Sequence, residues 1–158
     1  MPFNLIFEVQ YPDEKPLKRA LVVYERVQDL SPAFERILPL LQDYTERYLA
    51  AGGAFEGNPA FAPLSPVYAR YKGRRYPGAP ILTRSGRMRA SLAGVTGDSV
   101  AEVSPDRLVY GTRVPYALYH QMGTHKMPKR PPLRLSKPLT TRILAALRRY
   151  LVEVGEGR

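Results

Sequence analysis

The chain has only two histidines, His120 and His125. Both fall in the stretch VPYALYHQMGTHKMPKRPPLRLS, residues 114–136. Any acid–base chemistry would have to use them. A metal site would need more ligands at matched spacing, and there is no cysteine to supply a thiolate. The two histidines are also not in the i, i+4 arrangement of zinc hydrolases. A nucleophilic triad could be drawn from Ser85, His120 and an aspartate, but no G-x-S-x-G elbow supports it. The stronger reading makes His120 a packed or hydrogen-bonded structural residue. No catalytic residue, cofactor or metal is expected.

Phosphate chemistry is the next possibility. GAPILTRSGR (78–87) holds glycines and arginines but no G-x-x-x-x-G-K-[ST] loop, so it reads as a turn and a helix cap. RYKGRRYPG (70–78) and THKMPKRPPLR (124–134) are different, with basic residues interleaved with tyrosine or proline. Such patches bind phosphates, with tyrosines stacking on bases. They serve equally well as surfaces facing a neighbouring subunit. Arg74, Arg75, Tyr76, Lys126, Lys129, Arg130 and Arg134 are the candidate partner contacts under either reading.

The distribution of charge bears on both. Residues 1–60 carry 6 Lys+Arg and 9 Asp+Glu, and residues 61–158 carry 18 and 5; −3 and +13 give the overall +10. The two stretches are expected to present different surfaces to different neighbours, or the basic one to nucleic acid. Arginine outnumbers lysine 18 to 6, which favours bidentate contacts to carboxylate or phosphate. Two Asn and 16 Pro suit a thermophilic source or a GC-rich genome equally. With 158 residues the chain is long enough for one domain with a real core. No apolar run approaches transmembrane length, and MPFNLIFEVQ lacks the basic start of a secretory signal. The chain is therefore expected inside a cell, away from membranes.

The elements that would position these residues can be placed in order. Residues 3–9 read as a strand, 11–16 as a turn, and 17–29 as a helix rather than a strand. Ser31-Pro32 predicts a helix start, with Ser31 capping. Apolar residues then run at helical spacing from Phe34 to Leu49, bent at Pro39 and stopped by Gly52-Gly53. Residues 52–64 read as a loop, and Ser65-Pro66 starts a short helix over 66–72. Residues 72–80 read as an exposed basic loop. Thr83 to Leu92 resembles another short helix. SVAEV and RLVYG, joined by Ser104-Pro105-Asp106, predict a β-hairpin. Pro115 starts and Gly123 ends a helix carrying Tyr116, Tyr119 and His120 on one face, expected to pack against the sheet. After an extended basic arm, Ser136 and Pro138 start the last helix. The fold class is α+β: a single domain over 1–158 with a mostly antiparallel sheet and a C-terminal β-hairpin. A long N-terminal-half helix and a C-terminal helix flank the sheet. The loops 52–64, 72–80 and 124–134 are expected to be flexible.

The order of the motifs resembles the phage virion-morphogenesis family, the Mu-type tail-completion group. An aromatic precedes a Pro-Leu-Ser helix start at Phe61, Pro63, Leu64 and Ser65. A Leu-Thr-x-Ser-Gly-x-Met segment follows at Leu82, Thr83, Ser85, Gly86 and Met88. A Gly-x-x-x-x-Tyr-Ala-x-x-His-Gln-x-Gly segment lies at Gly111, Tyr116, Ala117, His120, Gln121 and Gly123. An Arg-Pro-x-Leu stretch closes the series at Arg130, Pro131 and Leu133. The sequence departs at Phe61, where tryptophan is common, and at Pro132, where the family favours phenylalanine. The resemblance covers 61–136 well and the N-terminal part loosely. It implies a structural virion protein in the tail or neck, made in the host cytoplasm, and not an enzyme. It further implies a ring, expected to have six subunits, that meets tail-tube or portal-proximal connector proteins, with a passing contact to DNA. The alternative is a nucleic-acid-binding module using the arms at 72–80 and 124–134.

Overall fold

The computed structural model describes Tyr24 and residues 28–156. The predicted strand at 3–9, the turn at 11–16 and nearly all of the 17–29 helix lie outside the described residues. Two antiparallel helices form the backbone of the fold. The first, α1 (Ser31–Ala50), buries Ala33, Ile37, Tyr44, Thr45, Tyr48 and Leu49 along one face. Its cap differs from the sequence reading. Ser31 lies inside the helix, and the Asp29 carboxylate accepts its N–H at 2.9 Å, so Asp29 supplies the capping oxygen. Pro39 sits inside the helix on its exposed side, where its missing N–H leaves no buried carbonyl short of a donor. Gly52 (φ +63°) and Gly53 (φ +92°) end it, and a Cβ on Gly53 would stand 2.9 Å from the Phe61 ring.

The last helix is α5 (Lys137–Gly155) in chain order. Its cap is as read: the Ser136 hydroxyl accepts the Leu139 N–H at 3.0 Å, and Pro138 occupies the first turn. Leu139 reaches the core around Tyr44, Tyr48 and Leu49, while Tyr150 and Val154 pack on Ala33 at the far end of α1. Tyr150 also donates to the Asp29 carbonyl at 2.8 Å, and Arg36 pairs with Glu153 at 2.5 Å.

Between these helices run α2 (Pro66–Arg75), α3 (Arg87–Leu92), β1 (Ser99–Ser104), β2 (Arg107–Thr112) and α4 (Ala117–Met122). The hairpin is antiparallel as predicted, from Ser99 opposite Thr112 to Ser104 opposite Arg107, and is the whole sheet among the described residues. The fold is α+β. Tyr110 donates to the Leu92 carbonyl at 2.7 Å, and the Ser91 and Thr112 hydroxyls lie 2.6 Å apart, which fixes α3 on the hairpin.

Three local readings are corrected. The helix expected over 66–72 runs on to Arg75, so Arg74 and Arg75 occupy its last turn rather than a loop. Cations there face the favourable end of the helix dipole. The helix expected from Thr83 starts only at Arg87. Residues 80–86 form turns with Leu82 at φ +68° and Gly86 at φ +79°, conformations no helix can contain. The stretch 124–134 is not a free arm. Thr124 and Met127 close a tight turn, Arg130 N–H reaches the His120 carbonyl at 2.9 Å, and Pro132 is fully buried. The 52–64 loop also packs onto the body through Phe61, whose ring meets Tyr48 edge-on at 5.3 Å.

Candidate functional site

The family-motif residues come from four separate stretches, and ten of them meet at one place. Leu64, Ser65, Leu82, Thr83, Ser85, Gly86 and Met88 line a cleft of about 650 Å³ together with Tyr116, His120 and Arg130. The start of α2 forms one side and the start of α4 the other. The turns at 82–86 and 126–128 lie between them. Ser65 holds the near end of α2, its hydroxyl accepting the Tyr68 N–H at 3.4 Å. Tyr68 and Lys72, one helical turn apart, both face the cleft.

The remaining motif residues build the walls from behind. Phe61 and Ala117 are core residues. Arg130 donates to the Ala62 and Pro63 carbonyls at 2.6 and 2.7 Å, tying the C-terminal basic stretch to the approach of α2. Gln121 clasps Leu133 through both backbone groups. Its amide donates to the Leu133 carbonyl at 3.0 Å, and its oxygen accepts the Leu133 N–H at 3.2 Å. The Pro131 carbonyl accepts from Tyr48 at 3.0 Å; burial pushes the Tyr48 hydroxyl up to about 12, so it stays a donor. Gly123 ends α4 at φ +74°, pressed against the Lys129 backbone. Gly111 lies on β2 with open space beside it.

α4 does not pack on the sheet through Tyr116 and His120 as expected. Ala117, with Val114 before it, is the buried anchor, while Tyr116 stands at the cleft with its ring edge-on to His120 at 6.1 Å. Tyr119 is exposed. The expected pattern fails because Ala117 takes the inward position, and Tyr119, two residues on, then points to the opposite side of the helix.

The partner-contact candidates do not form one surface. Lys126 and Arg130 both line the cleft, Lys126 at its exposed rim and Arg130 buried in its wall. Arg74 and Arg75 border a separate shallow groove on α2 with Val67, Arg70 and Tyr71. Lys129 and Arg134 open onto a third surface beside Tyr48 and Phe61. Tyr76 follows α2 and takes a 3.3 Å hydrogen bond from Arg84; that hydrogen bond, aided by the Arg84 charge, holds the phenol below its ordinary value. Lys72 and Arg84 are site residues the sequence reading passed over. Reading 66–75 as one helix would have put Lys72 on the Tyr68 face.

Burial lowers the His120 pKa, and the Arg130 charge pushes it the same way. Its Nδ1 is buried without a hydrogen-bond partner, so the imagined Ser85–His120–Asp triad is not assembled. Among the described residues no group of three or more histidine or acidic side chains is placed to hold a metal.

The carboxylates are engaged elsewhere. Glu46 pairs with Arg89, Glu56 with Arg142, Asp98 with Arg87 and Asp43 with Arg47. Hydrogen bonds from Arg89 and Arg87 hold Glu46 and Asp98 below the ordinary carboxylate range. Burial raises Glu56, but Ser136 and Arg142 together bring it below that range. Two of these pairs, Glu46–Arg89 and Glu56–Arg142, join the acidic part of the sequence to the basic part inside one subunit.

The structure is thus an α+β body with a basic cleft. The family model described as the phage virion morphogenesis family matches residues 13–152, and the chain belongs to that family. It is a structural or assembly protein of a phage virion. No curated protein and no solved structure matches it. No helix among the described residues is long and apolar enough to cross a membrane.

Proposed function

We propose that this protein completes the tail, at its end or at the head–tail junction, by closing into a ring, with six subunits the expected number. The observation that carries this reading is the apolar surface beside the cleft. On α4, Leu118 and Met122 are 64% and 68% exposed, one turn apart, with Tyr119 between them. On α2, Val67 is 71% exposed, with Tyr68 and Tyr71 stacked nearby at 6.0 Å. Large apolar side chains left exposed on two short helices suit a protein–protein contact. A ring joins one face of a subunit to a different face of the next. Apolar contact supports this better than attraction between acidic and basic parts, because most described carboxylates already have partners. Tail-tube and portal-proximal proteins are the expected neighbours above and below.

The test is incorporation. Particles made with Leu118→Glu/Met122→Glu should lose the protein, while the free subunit melts within about 2 °C of the unmodified chain, since exposed sites cost little. Normal incorporation of the variant, or absence of the unmodified protein from mature particles, would refute the reading. Nucleic-acid binding is the second reading, and Arg70, Arg74 and Arg75 favour it, being exposed on one helix without an ion pair among the described residues. A steep loss of duplex DNA affinity with rising salt, abolished by Arg74→Gln/Arg75→Gln, would put it first.

A further inference from the structure

Two cations are buried in the cleft wall with no carboxylate beside them. Lys72 and Arg130 are each 5% exposed, and both line the cleft. Neither belongs to an ion pair among the described residues. Their hydrogen bonds go to carbonyl oxygens, Lys72 to Pro80 and Arg130 to Ala62 and Pro63. Carbonyl dipoles satisfy some of the donors, but two uncompensated charges remain in a wall shielded from water, which is costly. Burial lowers the pKa of both groups, as expected for cations lacking a counter-charge. Arg84 and Lys126 add exposed charge to the rim, and no lining residue is acidic.

Beside these cations and several hydroxyl-bearing side chains, the lining holds an apolar set: Leu64, Leu82, Met88 and Met127. Methionine adapts to varied partner side chains. Leu82 is held at φ +68°, a strained conformation for a residue with a Cβ, and such strain gathers at binding sites.

We propose that the cleft binds an acidic peptide segment of a neighbouring protein. One carboxylate lies against the Lys72–Arg130 wall, and its flanking apolar side chains lie on Leu64, Leu82, Met88 and Met127. That the neighbour is a virion component rests on the function proposed above; the chemistry of the cleft does not. A peptide fits better than DNA. A cleft of about 650 Å³ has the capacity of a small-ligand pocket, admitting a few side chains but not a duplex. A sugar–phosphate backbone also offers nothing to the apolar lining.

The full chain, isotope-labelled, is titrated by two-dimensional NMR with the capped peptide acetyl-Leu-Glu-Leu-Asp-Leu-amide. Its neutral counterpart, with glutamine and asparagine, is the control. The acidic peptide should give saturable shifts centred on Leu82 and His120, at least about tenfold tighter than the neutral one. Arg84→Ala/Lys126→Ala, both at exposed rim positions, should weaken it about three- to tenfold without changing the melt. Equal binding of the two peptides, or no saturable shift with the acidic one, overturns the proposal. So does a short DNA duplex that shifts the same residues where the peptide does not. Loss of the virion reading in the incorporation assay would leave this titration unaffected.

Discussion

Gly123→Ala tests whether the turn between α4 and the 124–134 stretch is held as described. Gly123 sits at φ +74°, ψ 172°, a combination that residues with a Cβ avoid. Forcing alanine into it costs on the order of 1–3 kcal/mol. Its Cβ would also lie 3.0 Å from the Lys129 nitrogen and 3.2 Å from its Cα, so backbone rather than a flexible side-chain end must move. Overpacking of that kind adds about 1–3 kcal/mol. The lower entropy of the unfolded chain returns about 0.4–1 kcal/mol. The net loss is about 1–5.5 kcal/mol, or a fall in Tm of roughly 2–20 °C for a domain of this size. Urea unfolding followed by circular dichroism measures it. Gly111→Ala is the control, because a Cβ there meets nothing within 4 Å and the backbone is ordinary strand; it should cost less than about 1 kcal/mol. A Gly123→Ala protein within about 0.5 kcal/mol of the unmodified one would show that the turn does not have this geometry.

Gln121→Ala should cost about 1–3 kcal/mol, since it leaves both backbone groups of Leu133 without their partner; faster amide exchange at Leu133 than in the unmodified chain checks the assignment. Stability should also depend on pH through His120. Its folded pKa lies below the unfolded value, so the unfolded chain binds the extra proton and stability falls as pH drops from about 6.5 toward the folded pKa. His120→Gln should flatten the Tm profile between about pH 7 and 5.5, and an unchanged slope would remove His120 as the cause.

The sequence was legible where a local rule acts alone and misleading where the fold competes with it. Ser65-Pro66 and Ser136-Pro138 mark two helix starts because an N-terminal cap is settled within a few residues, and both hydroxyls accept the N–H three residues on. Ser31-Pro32 carries the same signature but fails, because Asp29 lies two residues upstream and supplies the oxygen instead. The hairpin was readable from its alternation and its turn. The arms were not: counting Gly, Pro and Arg in 72–80 and 124–134 gives exposed loops, since composition does not reveal partners far along the chain. Lys72 is drawn in by the Pro80 carbonyl and Arg130 by those of Ala62 and Pro63.

Charge shows the same limit and changes the functional argument. The sequence offers an acidic part and a basic part, which suggests attraction between subunits. In the folded chain Glu46 and Glu56 reach Arg89 and Arg142 within the subunit, so much of that attraction is satisfied before any neighbour arrives. What remains for a partner is of two kinds. Exposed apolar side chains on α2 and α4 gain from any close-fitting protein surface, whereas the Lys72–Arg130 wall gains only from an anion. A contact that used both would draw its strength from the apolar flanks and its choice of partner from the wall. Salt should therefore weaken binding of the acidic peptide more than ring closure, because screening acts on the charged contact and leaves apolar burial intact. Ring closure that weakens as steeply with salt as peptide binding would place the subunit contact on charge after all.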